Sequence, residues 1–291
     1  METTELLKKV RKIEIKTRGL SNQIFSGEYH TAFKGRGMAF SEVREYMPGD
    51  DIRTIDWNVT ARFNSPYVKV FEEEREMTVM LLVDMSGSKD FGTKEKMKRE
   101  LITELCAVLS FSAIQNNDKI GVIFFSDQIE LFIPPKKGKS HILRIIRELI
   151  EFTPEHKKTN ISQALKYLNN VIKKRSIAFL ISDFMDANYE DALKIANRKH
   201  DVVGIRIYDK RENELPDIGL IKVQDAESGE LRWLDTSDHN VRLSYKASAL
   251  QFEDNLKKLL NRSGVDFTSI ATHESYITPL MNLFKKREGR R

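Results

Sequence analysis

Cysteine is almost absent from this chain: of 291 residues only Cys106 is one. A disulfide framework is therefore excluded, and the apolar stretch from Leu101 to Ile114 around it predicts a reduced, inert core thiol in a reducing compartment. Glycine and proline are scarce too, at 14 and 7 residues, which excludes fibrous and low-complexity chains. No segment approaches the roughly 20 uncharged apolar residues of a membrane span. The opening METTELLKKVRKIEIKTRGL has no apolar run of signal-peptide length, so a cytoplasmic protein is expected. The six histidines, His30, His141, His156, His200, His239 and His273, form no metal-ligand spacing. What is present, 40% hydrophobic and 31% charged residues, is the make-up of a folded globular protein with a sizeable core.

Charge of one sign is also nearly missing from the body of the chain. The net charge is +5, but the last seven residues, KKREGRR, carry five basic groups and one acid, leaving about +1 elsewhere. A frayed basic tail, taken as 287–291, explains the high isoelectric point, and no specific nucleic-acid partner is expected. Lys8, Lys9, Arg11 and Lys12 interleave with Leu6, Leu7, Val10 and Ile13, which predicts an amphipathic helix with a solvated face.

Hydrophobic period gives the architecture. Continuous apolar runs at MTVMLLVD (77–84), KIGVIFFS (119–126), SIAFLISD (176–183), DVVGIRIY (201–208) and DFTSIA (266–271) read as strands buried on both faces, as in a parallel sheet. Helical spacing recurs over 94–115, 140–152, 160–174 and 244–262, with Asn160 placed to cap the third. The alternation predicts an α/β protein: a doubly wound, mostly parallel sheet flanked by helices, whose ligands bind beyond the strand carboxyl ends. Residues 1–76 form an N-terminal elaboration ahead of this 77–286 domain. IGLIKVQD and ELRWLD, separated by AESG within 209–243, read as an inserted β-hairpin.

Chemistry concentrates where apolar strands end. Asp84, Met85, Ser86, Gly87 and Ser88 close the first core strand, so a turn at Gly87 can aim a carboxylate and two hydroxyls at one point. Thr159 before a helix and Asp183 at the end of SIAFLISD add two further oxygen donors on the same sheet edge. Two carboxylates and three hydroxyls suit a small hard cation, Mg²⁺ or in its place Mn²⁺, that keeps some of its water.

The pattern D-x-S-x-S after a buried strand, then Thr with NISQAL, then Asp after another buried strand resembles the metal-ion-dependent adhesion site of von Willebrand factor A domains, over about residues 77–283. The resemblance implies that Ser86, Ser88 and Thr159 are hydroxyl ligands, and that Asp84 and Asp183 act mainly through bound water. It also implies one open coordination position, filled by an acidic side chain of a partner. Lys157 and Lys158 depart from the small residues common before the Thr.

GRGMAFSEVREYMPGDDIRTIDWNVTAR, residues 35–62, resembles the signature of the bacterial and archaeal family called domain of unknown function 58. That resemblance implies an N-terminal segment joined to a von Willebrand A-like domain, and a MoxR-type AAA+ ATPase or its client as partner. From the residues alone, Arg44, Asp50, Asp51, Arg53, Asp56 and Arg62 alternate in sign. Such a cluster suits a salt-bridged scaffold with Pro48-Gly49 as its turn and Tyr46 and Trp57 packing it onto the sheet, or else a partner-docking surface.

Enzyme motifs fail one by one. A D-x-D phosphatase pair meets Ser86, a nucleophile elbow meets Asp84 in place of glycine, and Gly138-Lys139-Ser140 lacks its upstream glycine, Ile133 standing there. Gly49-Asp50-Asp51 lacks two apolar flanking strands. The expectation is a non-enzymatic interaction module. Its alternatives are a Mg²⁺-dependent hydrolase on the same five residues, with Asp183 or His156 as base, and a scaffold whose metal site has degenerated beside Lys157 and Lys158.

Overall fold

The computed structural model describes residues 38–63, 65–73, 76–87, 92–93, 96–224 and 231–288. The helix expected over residues 6–13, Ser88 and the AESG turn lie outside them. Two compact units emerge, one of Phe33–Met77 and a larger one that includes Thr78–Arg291.

In the smaller unit β1 (Met38–Glu45) pairs antiparallel with β2 (Tyr67–Glu73), with a bulge between Phe40 and Glu42, and α1 (Trp57–Phe63) precedes β2. The alternating charges tie it together. Arg44 forks onto Asp50 with bonds of 2.8 and 2.7 Å, and Asp50 also accepts the Met47 N–H across a turn in which Gly49 takes φ +109°. Arg44 thereby holds the Asp50 carboxyl below its ordinary range. Asp51 accepts the Arg53 N–H, and Asp56 caps α1 through the Asn58 and Val59 N–H groups while pairing with Lys69 at 3.4 Å. The expected packing of Trp57 is corrected: as first residue of a helix with no buried residues, it is 70% exposed.

The larger unit is built on one six-stranded sheet. Its strands are β3 (Thr78–Asp84), β6 (Lys119–Phe125), β7 (Ile129–Lys136), β8 (Ile177–Ser182), β9 (Asp201–Tyr208) and β12 (Asp266–Ala271). β4 (Gly92–Thr93) and β5 (Lys96–Met97) make a minimal antiparallel pair. The sheet order is β12-β9-β8-β3-β6-β7, parallel throughout except for β7. The expected doubly wound α/β class is what the chain forms. The antiparallel edge strand was not expected: Pro134 and Pro135 mask it, and prolines are tolerated at an edge because no ladder donor is needed there.

Helices cover both faces. α2 (Lys98–Gln115) and α3 (Lys139–Glu151) pack together, as do α4 (Ile161–Val171) and α5 (Glu190–Lys199). Met80, Leu82, Ala178 and Leu180 share a core with α4 and α5, so by strand alternation Val79, Leu81 and Val83 face the other way. α2 begins at Lys98 rather than at residue 94. Asn160 caps α4 as expected, its side chain accepting the Gln163 N–H.

After β9 come the short α6 (Lys210–Asn213), the hairpin of β10 (Leu220–Gln224) and β11 (Leu231–Asp235), and α7 (His239–Arg262). α7 starts five residues before the expected 244, because Asp238 caps it there. α8 (Ile277–Glu288) corrects the basic tail. Arg287 is part of the fold, its guanidinium bridging Asp201 and Asp266 at 2.5 and 2.8 Å.

Candidate functional site

Winding reverses between β3 and β8: β3 crosses over to β6 on one side and β8 leads to β9 on the other. A crevice opens at such a switch point beyond the strand carboxyl ends. Asp84 is the last residue of β3 and Asp183 follows the last residue of β8, so both carboxylates emerge there.

Both are buried. Asp84 Oδ1 accepts the Ser86 N–H at 2.9 Å, and Oδ2 accepts the Ser182 hydroxyl at 2.6 Å. Burial first, and the neighbouring Asp183 charge second, push the Asp84 carboxyl up to about 6. Asp183 Oδ1 accepts the Met185 N–H, and its Oδ2 meets Lys98 Nζ at 3.2 Å. Lys98 in turn reaches Glu212 Oε1 at 2.5 Å and is only 3% exposed. Burial acts to lower the Lys98 ammonium, yet Asp183 and Glu212 outweigh it and the net shift is upward. Burial likewise raises Glu212 against the opposing effect of Lys98.

Backbone ties bring a third loop to this edge. The Gly87 N–H donates to the Lys157 carbonyl at 2.9 Å, and the Ile161 N–H donates to Asp186 Oδ2 at 2.7 Å. Thr159 lies midway between these ties, half-buried, on the loop joined to both carboxylate-bearing turns. Asp84, Ser86 and Asp183 are thus grouped, Thr159 is on the adjoining loop, and Ser88 falls outside the described residues. The side chains of Lys157 and Lys158 are exposed, where water and salt screen their charge. His156 Nδ1 faces Asp127 at 3.3 Å.

Among the described residues no group of three or more His, Cys, Asp or Glu is placed to hold a metal ion. A cation here has to draw on hydroxyl and water oxygen, and the donor chemistry fits one: two buried, mutually repelling carboxylates beside the buried Ser86. Sequence reasoning missed Lys98, Glu212, Ser182 and Asp186. A signal for the first was available, since a lysine at the first position of a helix opposes the helix dipole and so points to a tertiary partner.

Fold and site define the class: a doubly wound α/β protein with a mixed six-stranded sheet and a polar, charged cluster at its switch point. The chain belongs to the family described as protein of unknown function DUF58, whose model matches residues 42–255. It is 27% identical over 290 residues to an uncharacterized protein of Mycobacterium bovis, covering 99% of this chain and 91% of that protein. Similar solved structures include a conserved hypothetical protein, BatB, from Bacteroides thetaiotaomicron, with 15% identity and TM-score 0.47 over 73% of this chain and 99% of that one. Another is the SpRpn10 VWA domain, with 11% identity and TM-score 0.40 over 72% of this chain and 95% of that one.

Proposed function

We propose that this protein is a non-enzymatic interaction module whose switch-point site takes Mg²⁺, or Mn²⁺ in its place, and offers the open position to an Asp or Glu of a partner. The observation that carries the reading is the burial of Asp84 and Asp183 side by side with Ser86 at the point where the sheet's winding reverses. Ser86, Asp84 and Asp183 would hold the ion, with Ser88 and Thr159 as the further hydroxyls that the adhesion-site resemblance supplies. The ion's contribution is one Lewis-acid position for a carboxylate; the chain's own residues orient the loops around it. The hydrolase alternative is weakened because one of its two candidate bases, Asp183, is bound to the Lys98 ammonium.

The family resemblance points to a MoxR-type AAA+ ATPase or its client as the partner, with assembly or remodelling of a protein complex as the task, and the single cysteine suits the reducing cytoplasm as its place. No helix among the described residues is long and apolar enough to cross a membrane. Within the signature segment Arg44, Asp50, Asp51 and Asp56 are used structurally. Trp57 and Ile52, each 70% exposed, together with exposed Arg53 and Arg62, make the second candidate contact.

Calorimetric titration of chelator-treated protein with Mg²⁺ and Mn²⁺ tests the site. Binding by wild type that is lost in Asp84→Ala and Ser86→Ala supports it, and equal heats or none from all three would sink it. Affinity for a purified MoxR-type ATPase should then fall in chelator and in Asp84→Ala. An unchanged affinity in a folded Asp84→Ala protein removes metal-mediated docking.

A further inference from the structure

The switch-point cluster already contains a cation of its own. Lys98 opens α2, and its ammonium lies between Asp183 Oδ2 at 3.2 Å and Glu212 Oε1 at 2.5 Å, almost fully withdrawn from solvent. Glu212 is delivered by α6, which Asp209 caps through the Arg211 N–H, and Asp209 is itself held by the Thr272 hydroxyl at 2.6 Å. Three elements therefore fix one ammonium against one of the two carboxylates expected to face a metal ion. Arg99, the next residue, turns away and donates to the Ile150 and Phe152 carbonyls at the end of α3, so Lys98 alone of this pair serves the cluster.

We propose that Lys98 is the resident counter-cation of the switch-point site and sets how tightly that site takes a divalent ion. The inference rests on the reading of the site as a cation-assisted docking site. The physical reason is competition at a shared carboxylate. An ammonium at contact distance from Asp183 satisfies part of the charge that would otherwise attract Mg²⁺, and repels the ion across a few ångströms of poorly screened interior. Asp84, which no ammonium contacts in the described structure, is left as the stronger anchor. The site then holds its ion loosely, and a partner carboxylate adds charge that Lys98 has subtracted.

The variant that isolates this effect is Lys98→Met combined with Glu212→Gln. Removing both partners avoids stranding a buried Glu212 charge, which a lone Lys98→Met does. It also leaves the cluster's formal charge unchanged: three carboxylates with one ammonium and two carboxylates alone are equally anionic. Full-length, chelator-treated wild type, Lys98→Met/Glu212→Gln and Lys98→Met are titrated with Mg²⁺ and Mn²⁺ by calorimetry, with thermal unfolding in chelator and in excess Mn²⁺ recorded alongside. The double variant is expected to bind Mn²⁺ about tenfold or more tightly than wild type. Lys98→Met is expected to unfold at lower temperature in chelator and to recover more with Mn²⁺ than wild type does. Wild-type binding with unchanged or weaker binding by the double variant overturns the role of Lys98 and leaves the site reading standing. No binding by wild type or either variant overturns both.

Discussion

At Gly121 a hydrogen stands where any other residue would drive a Cβ to 2.8 Å from Met80 Sδ and 2.9 Å from backbone atoms of Ile133 and Pro135. Backbone on the β7 side cannot yield as a side chain can. Gly121→Ala should therefore lower stability by about 1–3 kcal/mol, read by denaturant unfolding, through overpacking at the β6–β7 pairing. His200 makes the opposite kind of constraint. Fully buried, with Nδ1 bonded to Ser176 Oγ at 3.0 Å, its imidazole is pushed from an ordinary 6.5 down to about 4, by burial first and then by Lys199 and Arg175. Between those values the unfolded chain binds a proton that the fold refuses, so stability rises with pH through this window and falls as pH drops from 6.5 towards 4. The expected contribution is roughly 1 kcal/mol per pH unit, checked by unfolding midpoints of wild type and His200→Gln from pH 7 to 4.5. A slope shared equally by both proteins would assign the effect to other groups.

α2 shows how an element can hide its own logic. Leu101, Leu105, Val108 and Leu109 predict a one-sided helix, yet residues 101–103 and 105–113 are all buried, since the helix is enclosed by neighbours as well as by the sheet. Cys106 lies within that enclosure, and burial pushes its thiol upward, in keeping with an inert residue. α4 is organised differently, from outside. Its own Asn160 caps one amide, but the first helical amide, of Ile161, is satisfied by Asp186 from the loop after β8. Asp186→Ala should lower stability by about 1 kcal/mol, the usual loss of a cap, with secondary structure retained in circular dichroism. A change of only a few tenths would mean the tie does not organise the loop that carries Thr159.

On the scale of the whole molecule, the central strands β3, β6 and β8 are buried on both faces, while the β10–β11 hairpin exposes Leu220, Leu231 and Trp233. Native-state hydrogen exchange should accordingly show the slowest amides in β3 and β8 and fast exchange in the hairpin; comparable protection in both would contradict this ordering. Much of that centre was legible in the chain. Continuous apolar runs mark the five parallel strands, because a strand covered on both faces has no polar side to show, and Asp84 and Asp183 are visible as the polar residues on which two of those runs stop. β7 was not legible, since its half-buried residues and paired prolines describe an edge whose tolerance depends on having no strand beyond it. Arg287 was read as tail because its charge is local information, whereas Asp201 and Asp266, which hold it, lie far away in sequence. Lys98 and Glu212 escaped for the same reason: 114 residues separate them, and only the crossovers that bring the start of α2 and the end of β9 to one sheet edge make them partners. The sequence by itself determined the five parallel strands, the class of fold and the carboxylates at the strand ends, because burial and backbone period are written locally. Tertiary structure alone decided which charges face those carboxylates, because electrostatic partners are chosen by distance in space.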